Sequence, residues 1–432
     1  MSWTRRSMLG GGLALGGCAT LPNRQRASAA SILAAVRAPR FPPRSTRITD
    51  HGARQGRDCA LPIAAAIAAM HDAGGGRVVV PPGLWPANAP VDLRSNVELH
   101  LQEGAHLRFG LPDEIRLPIR FSRWEGTELF MLSALVRAEN QRDIAITGPG
   151  RIDGQGRAGF FTWRPEQFPH QAALRAMGRD GVPVRDRLFG ADRRIRPYFV
   201  QLIGCENVLI DGPEFVDSPF WMVHPLYCRN VIVRNARFRS KHLNSDGVDP
   251  DSSTDVLIER CTFDVSDDCV AIKSGRDQDG WRVGRPTRRV VVRDCSMTTN
   301  IAAAFAVGSE MSGGASDIHV TNLRVPQAEH AIYLKANRDR GGVVERVTVA
   351  DVQVDRTRTL VNLDANYKRE ATGSAAPTFR DIDIRRVRAV GAEQVLRLVG
   401  LPERPIEGLR LVGVAAERSS MPSLLEHTKL IT

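Results

Sequence analysis

Three aspartates crowd two short stretches of this chain: Asp246 in Asn244-Ser-Asp-Gly-Val-Asp249, and the adjacent Asp267 and Asp268 in Val265-Ser-Asp-Asp-Cys-Val-Ala-Ile-Lys-Ser-Gly275. Burying an unpartnered carboxylate costs several kcal/mol, so the Asp267-Asp268 pair is expected at a strand end or in a cleft. Taken alone, such a pair reads most simply as a polar turn before a strand. Asp246 precedes Asp267 by 21 residues, and if that distance is one structural repeat, all three carboxylates share one patch. Crowded like charges split their proton affinities, leaving one group protonated and the others ionised near neutral pH. That division is what general acid and base work on a glycosidic bond requires.

The repeat is visible downstream and upstream of these aspartates. Segments of one shape start at Asn207, Asn230, Asp255, Arg289, Asp317, Arg346 and Asp381, with steps of 23, 25, 34, 28, 29 and 35 residues. Each is a polar residue, an alternating β-branched strand, a turn and a second short strand. Alternation points Val and Ile inward and Arg, Asp and Glu outward. Strands recurring at this period stack as coils of a solenoid. The expected fold is all-β: a right-handed parallel β-helix. A β-propeller would need about 40 residues per blade and a recurring blade motif, and a sandwich would show more hairpin signals. Helix is expected only over Leu61 to Gly76, an alanine-rich amphipathic stretch stopped by glycines, suited to cap the amino-terminal end of the solenoid. The Arg/Pro-rich segment from Gly154 to Arg196 reads as a long loop beside the groove. Because alternate residues face opposite ways, the strand must bend or begin at Asp267 for both neighbours to reach the groove.

The chain has 432 residues, 42% hydrophobic, and a formal net charge of +11. That composition excludes a disordered protein. The basic balance favours polyanions, but no Arg/Lys-rich arm with interleaved aromatics and no nucleic-acid module is present, so nucleic acid is not an expected partner. The amino terminus carries Arg5-Arg6 before a short apolar run and then Leu15-Gly16-Gly17-Cys18. This order resembles a twin-arginine export signal ending in a lipoprotein box, with lipid attached at Cys18. The expected organisation is therefore an export signal over residues 1–18, a linker over 19–44 and one catalytic β-helix over 45–432. Such a protein would be a monomeric periplasmic or outer-membrane lipoprotein of a Gram-negative bacterium, tied to the membrane by its lipid. The remaining cysteines show no zinc spacing. Cys261 and Cys295 fall at matching places in two repeats, which suits small buried side chains.

The stretch from Asn244 to Gly280, with "NSDGVD" and "VSDDCVAIKSG", resembles the active-site coils of glycoside hydrolase family 28, the polygalacturonases and their relatives. "VGSEMSGG" and the segments around "ITDHGARQGRDC" and "RPYFVQLIGCENVLIDG" are similar to that family as well. The resemblance implies a parallel β-helical hydrolase that uses no metal or cofactor and inverts the anomeric carbon of a pectic or related acidic plant polysaccharide. By the same resemblance Asp267 is the proton donor, Asp246 and Asp268 activate water, and Asn244 orients Asp246. Inversion leaves roughly 6.5 to 9.5 Å between acid and base.

Two departures bear on specificity. The family's Gly-His-Gly motif is replaced within Asn300 to Glu310, which holds no histidine, and its Arg-Ile-Lys motif reads Tyr333-Leu334-Lys335. A phenol cannot reproduce the two-pronged grip of Arg on a carboxylate, so the substrate is expected to shift from plain polygalacturonate toward rhamnogalacturonan or a substituted or neutral terminal sugar. Lys335, Tyr333, His242, His330 and Arg338 are the candidate sugar contacts. His224, Trp221 and Trp124 are expected mainly to pack. A β-helical polysaccharide lyase and a non-catalytic glycan-binding lipoprotein are the alternative readings.

Overall fold

The computed structural model describes residues 26–368 and 373–431. Arg5, Arg6 and Cys18, on which the export and lipid expectations rest, lie outside the described residues.

The strands stack in parallel, coil on coil, into a right-handed parallel β-helix. One face follows the register Val208↔Val231↔Val256↔Val290↔Ile318↔Val347↔Ile382, so identical or near-identical β-branched side chains sit above one another in the core. The next face carries an aromatic stack: the Phe215 and Phe238 rings lie 5.3 Å apart and Phe238 and Phe263 4.8 Å apart, nearly parallel. The polar residue that opens each repeat has a physical task. Asn207, Asn230, Asp255, Arg289, Asp317, Arg346 and Asp381 all adopt positive φ, between 52° and 60°, the left-handed turn that Asn and Asp tolerate best. Several of their side chains also tie neighbouring coils together, as Asn230 donates to Asn207 at 2.7 Å and Arg346 to Asp317 at 2.8 Å.

A third face positions the site. It runs through Val136–Glu139, Val200–Ile203 and Val223–Leu226, continues as single bridges at Val248 and Asp251, and goes on through Val270–Ile272, Ala303–Val307 and the end of Ala315–Lys335. Its outward side chains form the floor of a groove.

Among the described residues four α-helices decorate the solenoid. Helix α2 (Ala60–Asp72) buries Ala60, Ile63, Ala66 and Ile67 against the first coils, within the core cluster that holds Val78 and Leu99. Three others depart from the sequence reading. Helix α1 (Ala29–Ala35) lies in the stretch read as a linker. Ile32 and Val36 seat on an outer patch of Ala145, Leu209, Ile232, Leu257 and Val291, where an apolar residue on the solvent side of each repeat makes a stripe for the helix. Helix α3 (Arg164–Arg179) replaces the expected long loop. Pro165 lies in its first turn, where a missing N–H costs nothing, and Leu174 enters a second cluster with Trp124, Leu129, Phe189, Tyr198 and Phe220. Arginines and prolines hid a helix that tertiary packing stabilises. Helix α4 (Asp277–Val283) follows the Asp267-Asp268 coil. The six described cysteines are buried free thiols.

Candidate active site

Asp267 and Asp268 occupy the bend between the strands Thr262–Val265 and Val270–Ile272, which lets neighbouring side chains turn to the same groove. Asp246 stands one coil away, brought close by Gly247. A Cβ on that glycine would lie 2.4 Å from the carbonyl oxygen of Cys269 and 2.5 Å from the Phe263 ring. One oxygen of each carboxylate lies within 4.8 Å of the others. The oxygens thus approach more closely than the spacing expected for inversion, because adjacent coils are drawn together at Gly247.

Asp246 and Asp268 are nearly buried, at 3% and 1% exposure, rather than open to solvent. Partners make this tolerable. Asp268 accepts from the backbone N–H of Ala303 at 2.8 Å and from Nζ of Lys335 at 2.9 Å. The strand that lacks the family's histidine therefore supplies a main-chain donor. Asp267 accepts from the backbone N–H of Asn244 and of Asp268, both at 3.0 Å. Asp246 faces Nζ of Lys273 at 3.4 Å through one oxygen, while its Oδ1 has no hydrogen-bond partner.

Burial, then the neighbouring Asp268, pushes the Asp267 carboxyl above its usual range. Burial, then Asp267 and Asp249, pushes Asp246 up in the same direction, opposed by Lys273. The carboxyls titrate as a unit rather than one by one. Burial alone would lower the Lys335 ammonium, but Asp268 foremost holds it above its ordinary value.

These groups line a pocket of about 300 Å³. Its far wall is helix α3, which presents Arg164, Phe168, Gln171 and Arg175 at helical spacing, with Gln167 beside them. Glu125 fastens that wall by accepting from Gln171 and from Arg175, the latter at 2.7 Å. Trp221, Arg276, Glu310 and Arg340 complete the lining. On the other side of Lys335 the groove opens into a second space of about 560 Å³ bounded by His330, Tyr333, Asn362, Tyr367, Arg358 and Arg397.

The structure brings Asp246, Asp267, Asp268, Asn244 and Lys335 together, sets the centre of the Tyr333 ring 5.0 Å from Nζ of Lys335, and directs His242 and Arg338 elsewhere. Asn244 serves Asp267, not Asp246, through its main chain, and its side-chain oxygen accepts from the buried Arg196. Tyr333 and His330 line the second space, their rings 4.3 Å apart. Burial, then Lys335, lowers His330 to about 4, so it is neutral. His242 is withdrawn from the pocket: its ring stacks on Phe161 at 4.5 Å and faces Asp217 at 3.3 Å. Arg338 turns away to pair with Glu403 at 2.7 Å, and Arg340, two residues on, takes the place in the lining. His224 is buried between Gln201 and Asp251, and Trp124 packs flat on Phe220. Lys273, Asp249, Glu310, Arg276 and the α3 arginines escaped the sequence reading. Lys273 was legible, since outward-facing Ala271 places it on the same face two residues later.

A cleft of crowded aspartates on a parallel β-helix, with Asp267 and Asp246 both lifted, is the kind of site that acid–base cleavage of a glycosidic bond requires. The profile of glycosyl hydrolases family 28 matches residues 117–424, and the chain belongs to that family. It is therefore a glycoside hydrolase of polygalacturonase type, and neither a lyase nor a non-catalytic binder is favoured. An exopolygalacturonase from Thermotoga maritima is 34% identical and superposes with a TM-score of 0.89, covering 93% of each chain. A probable polygalacturonase from Vitis vinifera is 29% identical over 81% of this chain and 69% of its own. The polygalacturonase from Erwinia carotovora subspecies carotovora shares the fold at 19% identity, with a TM-score of 0.69 over 92% of this chain and 99% of that one.

Proposed function

We propose that the protein removes single sugars from the end of an acidic pectic chain by inverting hydrolysis. The observation that carries the hydrolytic step is Asp246, which lines the same pocket as Asp267 and whose Oδ1 is buried without a hydrogen-bond partner. A water placed there gives one proton to Asp246 while its oxygen attacks the anomeric carbon, and Asp267 donates its proton to the departing glycosidic oxygen. Asp268, both of whose oxygens already accept from Ala303 and Lys335, orients that water less freely and acts chiefly by its charge. The short carboxylate spacing alone would suit a retaining enzyme, for which roughly 5 to 5.5 Å is usual. Against a nucleophilic role, Asp246 and Asp268 are each held by an ammonium, which weakens attack on carbon while still allowing proton acceptance.

Chain-end action is supported by helix α3, which shuts the pocket on one side, and by the likeness to an exo-acting relative. The guanidinium groups of Arg164, Arg175, Arg276 and Arg340 suit a uronate at the terminal seat. In the second space Arg358 pairs with Glu329 and Arg397 with Asp364, both at 2.9 Å, and Tyr333 offers a ring face where the family's arginine would stand. A neutral or substituted sugar on the leaving side of an acidic chain fits this, so activity on plain polygalacturonate should be lower. The working enzyme is read as a monomer exported by the twin-arginine route and anchored at Cys18. Replacing Cys18 with Ala should move it from the membrane to the soluble fraction. The test of the main reading is a panel of end-labelled pectic oligosaccharides: release of single sugars from one end supports it, and internal fragments or unsaturated products overturn it.

A further inference from the structure

The ammonium that holds Asp246 belongs to Lys273, which lies beneath the aspartates and itself enters no chemical step above. Lys273 is 3% exposed. Its Nζ stands 3.4 Å from Asp246, 3.5 Å from Asp249 and 3.5 Å from Glu310, and 3.7 Å from the centre of the Trp221 ring. The three acids are not equally dependent on it. Glu310 is also paired with Arg276 at 3.4 Å and bonded by Ser309 at 2.9 Å. Among the described residues, Asp246 and Asp249 have no other cation within 4.0 Å, and neither oxygen of Asp249 has a hydrogen bond.

We infer that Lys273 is a positioning residue for hydrolysis: its buried ammonium, divided between Asp246, Asp249 and Glu310, pulls Asp246 toward the ionised form that a base opposite Asp267 needs, against burial and the neighbouring acids. This rests on the assignment of Asp246 as base. The charges facing Asp246 are Asp267 and Asp268 from the next coil, Asp249 from its own, Lys273 and, more remotely, the buried Arg196. Three of these five are acids and Lys273 is the cation in contact, so its loss drives Asp246 further toward the protonated form. Those facing Lys273 are Asp249, Asp246, Glu310 and, more remotely, Asp268. Asp249, sealed at 0% exposure with burial foremost raising its affinity for a proton, can stay neutral and leave the ammonium to Asp246. The flat Trp221 face keeps Nζ from swinging out and attracts it further. Lys273 never needs to touch the substrate.

The experiment is the pH dependence of kcat/KM on the best oligosaccharide of the panel for wild type, Lys273→Met, Lys273→Arg and Glu310→Gln, with thermal unfolding of each. The acidic limb reports ionisation of the base. Loss of the ammonium should move that limb up by about one pH unit or more, a rate loss of about tenfold or more on the acid side that shrinks toward higher pH. Lys273→Arg should return the limb toward its original place even if the rate stays low. Glu310→Gln frees Lys273 from a rival and should move the limb the other way, toward lower pH, which keeps the inference testable if Lys273→Met does not fold. Equal losses at every pH in Lys273→Met, or an unmoved limb in Glu310→Gln, would overturn it. Wild type that cleaves no glycan would instead overturn the assigned function.

Discussion

Nζ of Lys335 lies 2.9 Å from Oδ2 of Asp268 although 67 residues separate them. The parallel stacking of coils converts that separation into a contact, with Ala303–Val307 inserted between the two. In the resemblance drawn from sequence this lysine was a hand for the sugar. In the structure it is also the counter-ion of a nearly buried carboxylate.

Lys335→Met should therefore destabilise the fold, by about 3 kcal/mol as expected when one partner of a buried pair is removed. Asp268→Asn in the same chain should restore most of that loss. Denaturant unfolding of the two single variants and the double variant measures the coupling. Additive losses would mean that the pair is not coupled as drawn.

Asp267→Asn should lower kcat by about 10²- to 10⁴-fold, the usual worth of a general acid, with KM nearly unchanged. It should also raise the melting temperature, and the sign depends on pH. The folded protein binds the Asp267 proton more tightly than the unfolded chain does, because burial and then Asp268 raise it. Folding is thus penalised once pH exceeds the unfolded value of about 3.9, increasingly until the raised folded value is passed. The gain in the variant is expected to be larger at pH 8 than at pH 4. Calorimetry at both pH values checks this.

Arg164 has no ion-pair partner among the described residues and lines the pocket wall. Arg164→Ala should raise KM for a uronate-ended oligosaccharide by about tenfold or more, the worth of a charge-assisted hydrogen bond. A chain ending in a neutral sugar should be affected far less. Equal effects on both would remove the uronate from this seat.

Tyr333→Arg should increase the rate on unmodified polygalacturonate relative to a substituted pectic substrate, because a guanidinium would restore the bidentate grip that the phenol lacks. Competition between the two substrates in one reaction reads the ratio directly. An unchanged ratio would count against a neutral or substituted sugar beside Tyr333.

Much of the solenoid was readable because each coil repeats one instruction: an Asn, Asp or Arg at positive φ, then inward β-branched residues at alternate places. The convergence of Asp246, Asp267 and Asp268 followed from that period. What escaped is non-repetitive. Helix α3 draws its stability from Leu174 in an aromatic cluster and from the ties of Gln171 and Arg175 to Glu125, contacts that span the chain and leave no local pattern. His242 and Arg338 were misplaced because nearness in sequence to the site does not say which way a turn directs a side chain. Their partners, Phe161 and Glu403, come from an insertion and from a later coil. The tight carboxylate spacing depends on Gly247, whose missing Cβ matters only once Phe263 and Cys269 are stacked against it.

The central claim is that Asp267 and Asp246 act on opposite faces of one sugar, with water as the nucleophile. Proton nuclear magnetic resonance of the first product formed from an oligosaccharide of known linkage tests it most directly, because the new anomer is seen before mutarotation. The account predicts that the released sugar appears first with the configuration opposite to that of the bond cleaved. First appearance of the retained anomer would contradict it, and would make Asp246 or Asp268 a nucleophile instead.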